Sequence, residues 1–144
     1  MNTKTLEDLE FNRVLEQVAA LCTTELGRKE ALRIAPLTDK EALLTALAQT
    51  NEYLSSFQNQ NTIPAHQCDA ITGELQLLGI EGTTLELTGL QRILRMTKTV
   101  QEHLVFFKKF KELYETLFAT IDRVESPKEV IAAIEKVIDK YGEV

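Results

Sequence analysis

Four stretches of this chain hold residue types that could do chemistry. "HQCD", His66 to Asp69, sets an imidazole, a thiol and a carboxylate within four positions, donors of the kind that bind metal. A zinc site takes three or four protein ligands. With two His in the chain and Cys22 far from Cys68, the ligand count falls short and the stretch reads as loop. "GIEG", Gly79 to Gly82, has the spacing with which KH modules clamp a nucleic-acid backbone. Glu81 inside it would repel phosphate and no KH strand pattern surrounds it, so a helix-terminating turn is the plainer reading. "FFKKFK", Phe106 to Lys111, interleaves aromatics with Lys as single-strand binders and membrane-surface helices do. The one-turn spacing of Phe106 and Phe110 makes it equally an amphipathic helix with solvated lysines. Arg92, Arg95 and His103 share the polar face of the same helix and form a short basic strip, which solvated surface also explains.

Beyond these the chemistry is absent. There is no GxxxxGK[ST] phosphate loop, no HExxH, no GxSxG and no cysteine pair at zinc spacing. No catalytic, cofactor-binding or metal residue is therefore assigned. Arg92, Arg95, Lys108, Lys109 and Lys111 remain as a candidate surface for nucleic acid or a partner.

Composition bounds the rest. A chain of 144 residues can hide enough surface to fold as one domain without disulfide or metal. Its 44% hydrophobic and 26% charged residues, with 6 Gly and 3 Pro, are those of an ordinary helical protein. A formal charge of −6 makes the whole a poor attractant for phosphate backbones. Two distant cysteines fit a reducing compartment. The acidic N-terminus without an apolar run excludes a secretory signal, and no stretch approaches a membrane span. A cytoplasmic protein without membrane contact is expected.

Hydrophobic spacing supplies the elements that must position those residues. The first helix starts at a cap on Thr5 or on Asp8, and Phe11, Val14, Leu15, Val18 and Leu21 or Cys22 form its buried stripe. A second opens at Thr23 or Thr24, runs through Leu26, Ala31 and Ile34, and must stop before Pro36. Thr38 and Glu41 form a capping box for a long third helix with the stripe Leu43, Leu44, Leu47, Tyr53, Leu54 and Phe57. Residues 58–68 lose all periodicity and read as an exposed connector. Ile71, Leu75 and Leu78 mark a brief helix that Gly79 and Gly82 end. The fifth starts near Glu86 to Thr88 with Leu90, Ile93, Leu94, Thr97, Val100, Leu104 and Phe107 on one face. Its stripe then shifts to Phe106, Phe110, Leu113, Tyr114, Leu117 and Ile121, about a third of a turn away at 3.6 residues per turn. A break near 106–109 is favoured over a straight arm that changes packing partner. The last helix takes Ser126 as N-cap, Pro127 as its first residue and Glu129 as the reciprocal acid, buries Val130, Ile131, Ile134, Val137 and Ile138, and ends at Gly142. "GTTLEL" alone could pass for a strand. The expectation is an all-α fold, one domain over residues 1–144, of about six to seven helices.

Gly27 stands inside the second helix, where Gly costs about 0.8 to 1 kcal/mol relative to Ala. It is read as a helix-packing glycine, admitting another helix where a side chain would collide.

The residues from Leu9 to Ala19, "LEFNRVLEQVA", followed by Glu25-Leu26-Gly27, Ala31-Leu32, Pro36 and Asp39, resemble the opening of the type 2 branch of the bacterial MutS family, with its "TLEFDKVLEQLA…SELG" pattern. "TNEYL", Thr50 to Leu54, is similar to that family's "TDEAL"; Asp69 to Ile71 with Leu78, Ile80 and Gly82 follow its "DIR…IGG"; and Tyr141 to Val144 resembles its "DGEV". The resemblance implies an N-terminal piece of a longer protein, the helical core and lever region beside an ATPase. It further implies that the parent dimerises through that ATPase, which uses ATP and Mg, and carries a coiled-coil clamp and a Smr endonuclease module. The parent would bind branched DNA, suppress homologous recombination and in some members act on stalled ribosomes. The piece itself would be no enzyme. A free-standing helical adaptor, binding a partner helix beside Phe106 to Phe118, is the alternative that the residues alone leave open.

Overall fold

The computed structural model describes residues 3–138, and every regular element among them is an α-helix. The all-α expectation holds, with eight helices among the described residues where six to seven were expected. By packing, the chain divides into two compact units, Met1–Asp39 and Lys40–Val144.

The first unit holds α1 (Thr3–Asp8), α2 (Phe11–Leu21) and α3 (Glu25–Leu32). One continuous helix was expected where α1 and α2 stand. The ladder is interrupted at Glu10, whose φ of 49° and ψ of 36° are left-handed. Neither Thr5 nor Asp8 caps the second of these helices; its N-cap is Glu10, whose carboxylate pairs with Arg13 at 3.0 Å. Glutamate is a good helix former, so nothing in its type signals the turn. The stripe buries less than its spacing promised: Leu15 and Ala19 are inside, while Val14, Val18 and Leu21 are exposed. α3 begins as read, with Thr24 Oγ1 accepting from the Gly27 amide at 3.0 Å, but ends at Leu32, before Ile34.

The second unit holds α4 (Lys40–Ser56), α5 (Thr72–Leu78), α6 (Leu87–Lys109), α7 (Glu115–Ile121) and α8 (Lys128–Ile134). α6 is its spine, packing against α5, α7 and α8, while α4 packs against α7. Ile93 on α6 meets Ile134 and Ile138, with Ile71, Leu85, Leu87, Leu90 and Leu94 around them. Further along α6, Leu104 and Phe107 are buried, as is Tyr114 beyond its end. The stripe of α6 is therefore the buried face that its spacing predicts. That of α4 is not: Leu43, Leu44, Leu47, Leu54 and Phe57 are all exposed.

Three boundaries differ from the sequence reading. α6 runs unbroken through 106–109 and stops at Phe110, with α7 starting only at Glu115. α8 starts at Lys128 with Pro127 in the cap position; Ser126 does not cap it, because its hydroxyl goes to Gln101 Oε1 on α6 at 2.5 Å. "GTTLEL" forms no strand, and the Thr83 hydroxyl closes the end of α5 through the carbonyls of Leu77 and Ile80. The Gly142 cap and the Tyr141 to Val144 likeness lie outside the described residues.

The neighbours of Gly27 are its own cap and the end of α2, not the flank of a crossing helix. A Cβ there would sit 3.1 Å from Thr24 Oγ1 and 3.7 Å from Cys22 Cβ. The hydroxyl cannot retreat without lengthening its bond to the Gly27 amide. Thr24→Ala is expected to cost about 1 kcal/mol as a lost N-cap. Gly27→Ala should gain little alone, yet stabilise by about 0.5 to 1 kcal/mol in the Thr24→Ala background, where helix propensity acts unopposed. Denaturant unfolding of the four variants measures this coupling, and equal effects of Gly27→Ala in both backgrounds would refute it.

Candidate functional site

The residues singled out by type sit mostly along α6 and the connector in front of α5. Among the described residues no three metal-ligating side chains come together. His66 faces the rings of Tyr53 and His103, at centroid distances of 6.2 and 6.3 Å. The Cys68 thiol turns back to the His66 carbonyl at 3.6 Å. "GIEG" is the turn that ends α5, and Gly82 takes the positive φ of 81° that favours glycine.

The basic residues form two separate groups. Arg92 is paired with Glu74 of α5, and Arg95 lies exposed one turn further. Lys108 and Lys109 occupy the last turn of α6, where cations complement the helix dipole, and Lys111 lies in the break after it. Sixteen residues separate Arg92 from Lys108, about 24 Å at 1.5 Å per residue. His103 is drawn to its own helix, with Nδ1 2.8 Å from the Thr99 carbonyl. Lys109 Nζ stands 5.1 Å from the Phe110 ring centre, a cation–π distance.

The aromatics of "FFKKFK" are structural. Phe106 contacts Phe107, Phe110 and Tyr114 at centroid distances of 5.4, 4.9 and 5.6 Å. Through Phe107 and His103 the contacts continue to His66, Tyr53 and Phe57. A shallow groove of about 450 Å³ runs beside them, lined by Pro64, Val105, Phe106 and Phe110 with Gln101 and Lys109.

What the sequence reading did not find is a pair of polar ties around the end of α6. Tyr114, fully buried, donates its hydroxyl to the Asn61 carbonyl at 2.9 Å. The connector at 58–68 is thereby fastened rather than loose. Glu52 on α4 accepts the Thr116 amide at Oε1 and the Leu117 amide at Oε2, both at 2.9 Å. The residue in the N-cap position of α7 is Tyr114, which makes no side-chain cap; a carboxylate 64 residues away caps the helix instead. Such a partner leaves no mark at short spacing. Its one trace is the acid inside "TNEYL".

The arrangement can brace helices and offer small surfaces. With that geometry in view, similarity to known proteins is informative. The chain is 30% identical over 149 residues to the endonuclease MutS2 of Ligilactobacillus salivarius, covering 100% of this chain and 19% of that protein. It is 33% identical over 102 residues to the endonuclease MutS2 of Pediococcus pentosaceus, covering 69% and 13%. With that of Leuconostoc mesenteroides the identity is 27% over 148 residues, covering 100% and 18%. The chain is related to the MutS2 endonucleases. It spans about a fifth of the length of these curated relatives. No family model matches the chain, and no solved structure matches it. No helix among the described residues is long and apolar enough to cross a membrane.

The two ties carry a stability prediction. Glu52→Gln keeps one acceptor and turns an amide donor toward the other backbone N–H, so it should cost about 1.5 to 3 kcal/mol, the range for hydrogen bonds to charged groups. Tyr114→Phe should cost about 1 to 1.5 kcal/mol. Glu112→Gln, a change on the exposed side of the break, should stay within about 0.5 kcal/mol. Urea unfolding followed by circular dichroism checks the ranking, and a Glu52→Gln variant as stable as Glu112→Gln would refute the cap.

Proposed function

We propose that this chain is the N-terminal helical core and lever region of a MutS2-type endonuclease, a segment that holds and transmits rather than reacts. The relation to MutS2 endonucleases along its full length, against about a fifth of theirs, is the observation that carries the reading. The architecture agrees with it. α6 spans 23 residues, about 35 Å at 1.5 Å per residue. One end is tied to α5 through Arg92 and Glu74, and beyond the other end Glu52 and Tyr114 fasten α7 and the connector. A braced rod of this length carries a displacement from end to end instead of absorbing it.

In this reading ATP hydrolysis, with its Mg, and DNA cleavage belong to modules of the parent outside these residues. The parent dimerises through its ATPase in the cytoplasm, binds branched DNA, suppresses homologous recombination and also acts on stalled ribosomes. Arg92, Arg95, Lys108, Lys109 and Lys111 contribute at most a weak contact to nucleic acid. The groove beside Phe106 favours a second reading, a free-standing adaptor that takes a partner helix.

The coupling role is tested in the full-length protein that carries this segment. Glu52→Gln should leave basal ATP hydrolysis within about twofold, because in this reading the nucleotide is held by another module, and should abolish most of its stimulation by a four-way DNA junction. Full stimulation in that variant would overturn the role. The 144-residue chain alone should neither hydrolyse ATP nor retain the junction in a salt-dependent manner; either activity would contradict the assignment of chemistry to other modules.

A further inference from the structure

α4 is turned inside out. Its polar side faces the unit: Glu52 caps α7, and Ser56 is buried with its hydroxyl on the Tyr53 carbonyl. Its apolar side faces water, with Leu43, Leu44, Leu47, Leu54 and Phe57 between 43% and 64% exposed. Positions 43, 47, 50, 54 and 57 step by four, three, four and three, the a and d spacing of a coiled coil, with Thr50 the one polar member. In that register the flanking e and g positions hold Leu44, Ala46, Asn51 and Tyr53 and no charge. Glu52 falls at f, behind the seam, so the tie to α7 and the open seam occupy opposite sides of one helix. Among the described helices α7 alone packs on α4, which leaves the seam clear.

A seam of this spacing is filled by another helix, packing knobs into holes. We propose that it is filled by α4 of a second copy of this chain, lying antiparallel about a two-fold axis that passes between Ala48 and Gln49. That axis sets Leu43 opposite the partner's Leu54, Leu47 opposite the partner's Thr50 and Lys40 opposite the partner's Phe57, each contact made twice. Lys40, in the first turn of α4, then meets the carbonyl end and an aromatic ring of the partner's helix, both of which favour a cation. A parallel pair would instead set Lys40 against the partner's Lys40. Charges at e and g are what select an unlike partner, and this helix has none there. The exposed seam offers on the order of 500 Å² per copy, about 1,000 Å² for the pair, which is the lower limit for a specific interface and fits a reversible dimer. This contact is separate from the dimerisation proposed for the parent's ATPase.

Sedimentation velocity of the 144-residue chain should show a monomer–dimer equilibrium with a Kd on the order of 10 μM. Leu47→Glu, on the exposed seam, should keep the helical circular dichroism and raise the Kd at least tenfold, while Leu78→Glu, at an exposed leucine of α5, leaves it unchanged. With Cys22→Ser and Cys68→Ser in place, Leu43→Cys and Leu54→Cys chains mixed and oxidised with copper phenanthroline should form the mixed 43–54 disulfide ahead of either self-disulfide. A chain that stays monomeric at about 200 μM, a dimer that Leu47→Glu leaves intact or that Leu78→Glu weakens equally, or a preference for the 43–43 disulfide would each overturn the assignment.

Discussion

The second unit depends on one carboxylate. A helix as short as α7 does not stand by itself, because nucleation fixes several residues for few hydrogen bonds. Its first amides need acceptors, and the residue placed to supply one is Tyr114, whose hydroxyl is occupied elsewhere. Glu52 fills the gap from α4, one oxygen to each of two successive amides. The same contact joins segments 64 residues apart, so it sets the α4 and α7 pairing as well as the start of α7. The charge of Glu52 also complements the positive end of the short helix.

Tyr114 explains why α6 stops where it does. Its ring closes the aromatic cluster of Phe106 and Phe107, and its hydroxyl reaches Asn61 in the connector. Phe110 remains within 4.9 Å of Phe106, so the cluster is continuous across the end of the helix. The break thus follows the last residue that the apolar face of α6 can use, a few positions later than the change of stripe suggested. A stripe shift reports that the packing partner changes; it does not say which residue gives up the helical backbone.

The same distinction separates what was legible in the sequence from what was not. Local rules worked where the deciding partner is close in sequence: Thr24 capping α3, the glycine turn after α5, the start of α6 at Leu87, the buried Ile93, Leu104 and Phe107. They failed where a distant group competed. Ser126 has the sequence signature of a cap, but Gln101 of α6 takes its hydroxyl. Glu10 has no signature of a left-handed turn. Glu74 looks like any helical acid until Gly89 and Arg92, eighteen residues or fewer away, are seen against it. The candidate basic surface was legible as composition only, since Arg92 is spent on Glu74 and Lys108 and Lys109 lie at the far end of α6.

One mismatch bears on the proposed role. Leu43, Leu44, Leu47, Leu54 and Phe57 have the spacing of a buried face, yet Phe57 is 64% exposed and the others are exposed with it. Periodicity of that kind records a surface shaped for contact, and soluble monomers rarely leave a contiguous one open. In the proposed role the apolar stripe of α4 would be a seam for a further helix, while polar ties such as Glu52 and Tyr114 keep the geometry of the helices beside it. Rigidity and outward contact then come from different residues of the same unit. That division is what a coupling element needs, because a face that also had to hold its own helix in place could not change partners without unravelling it.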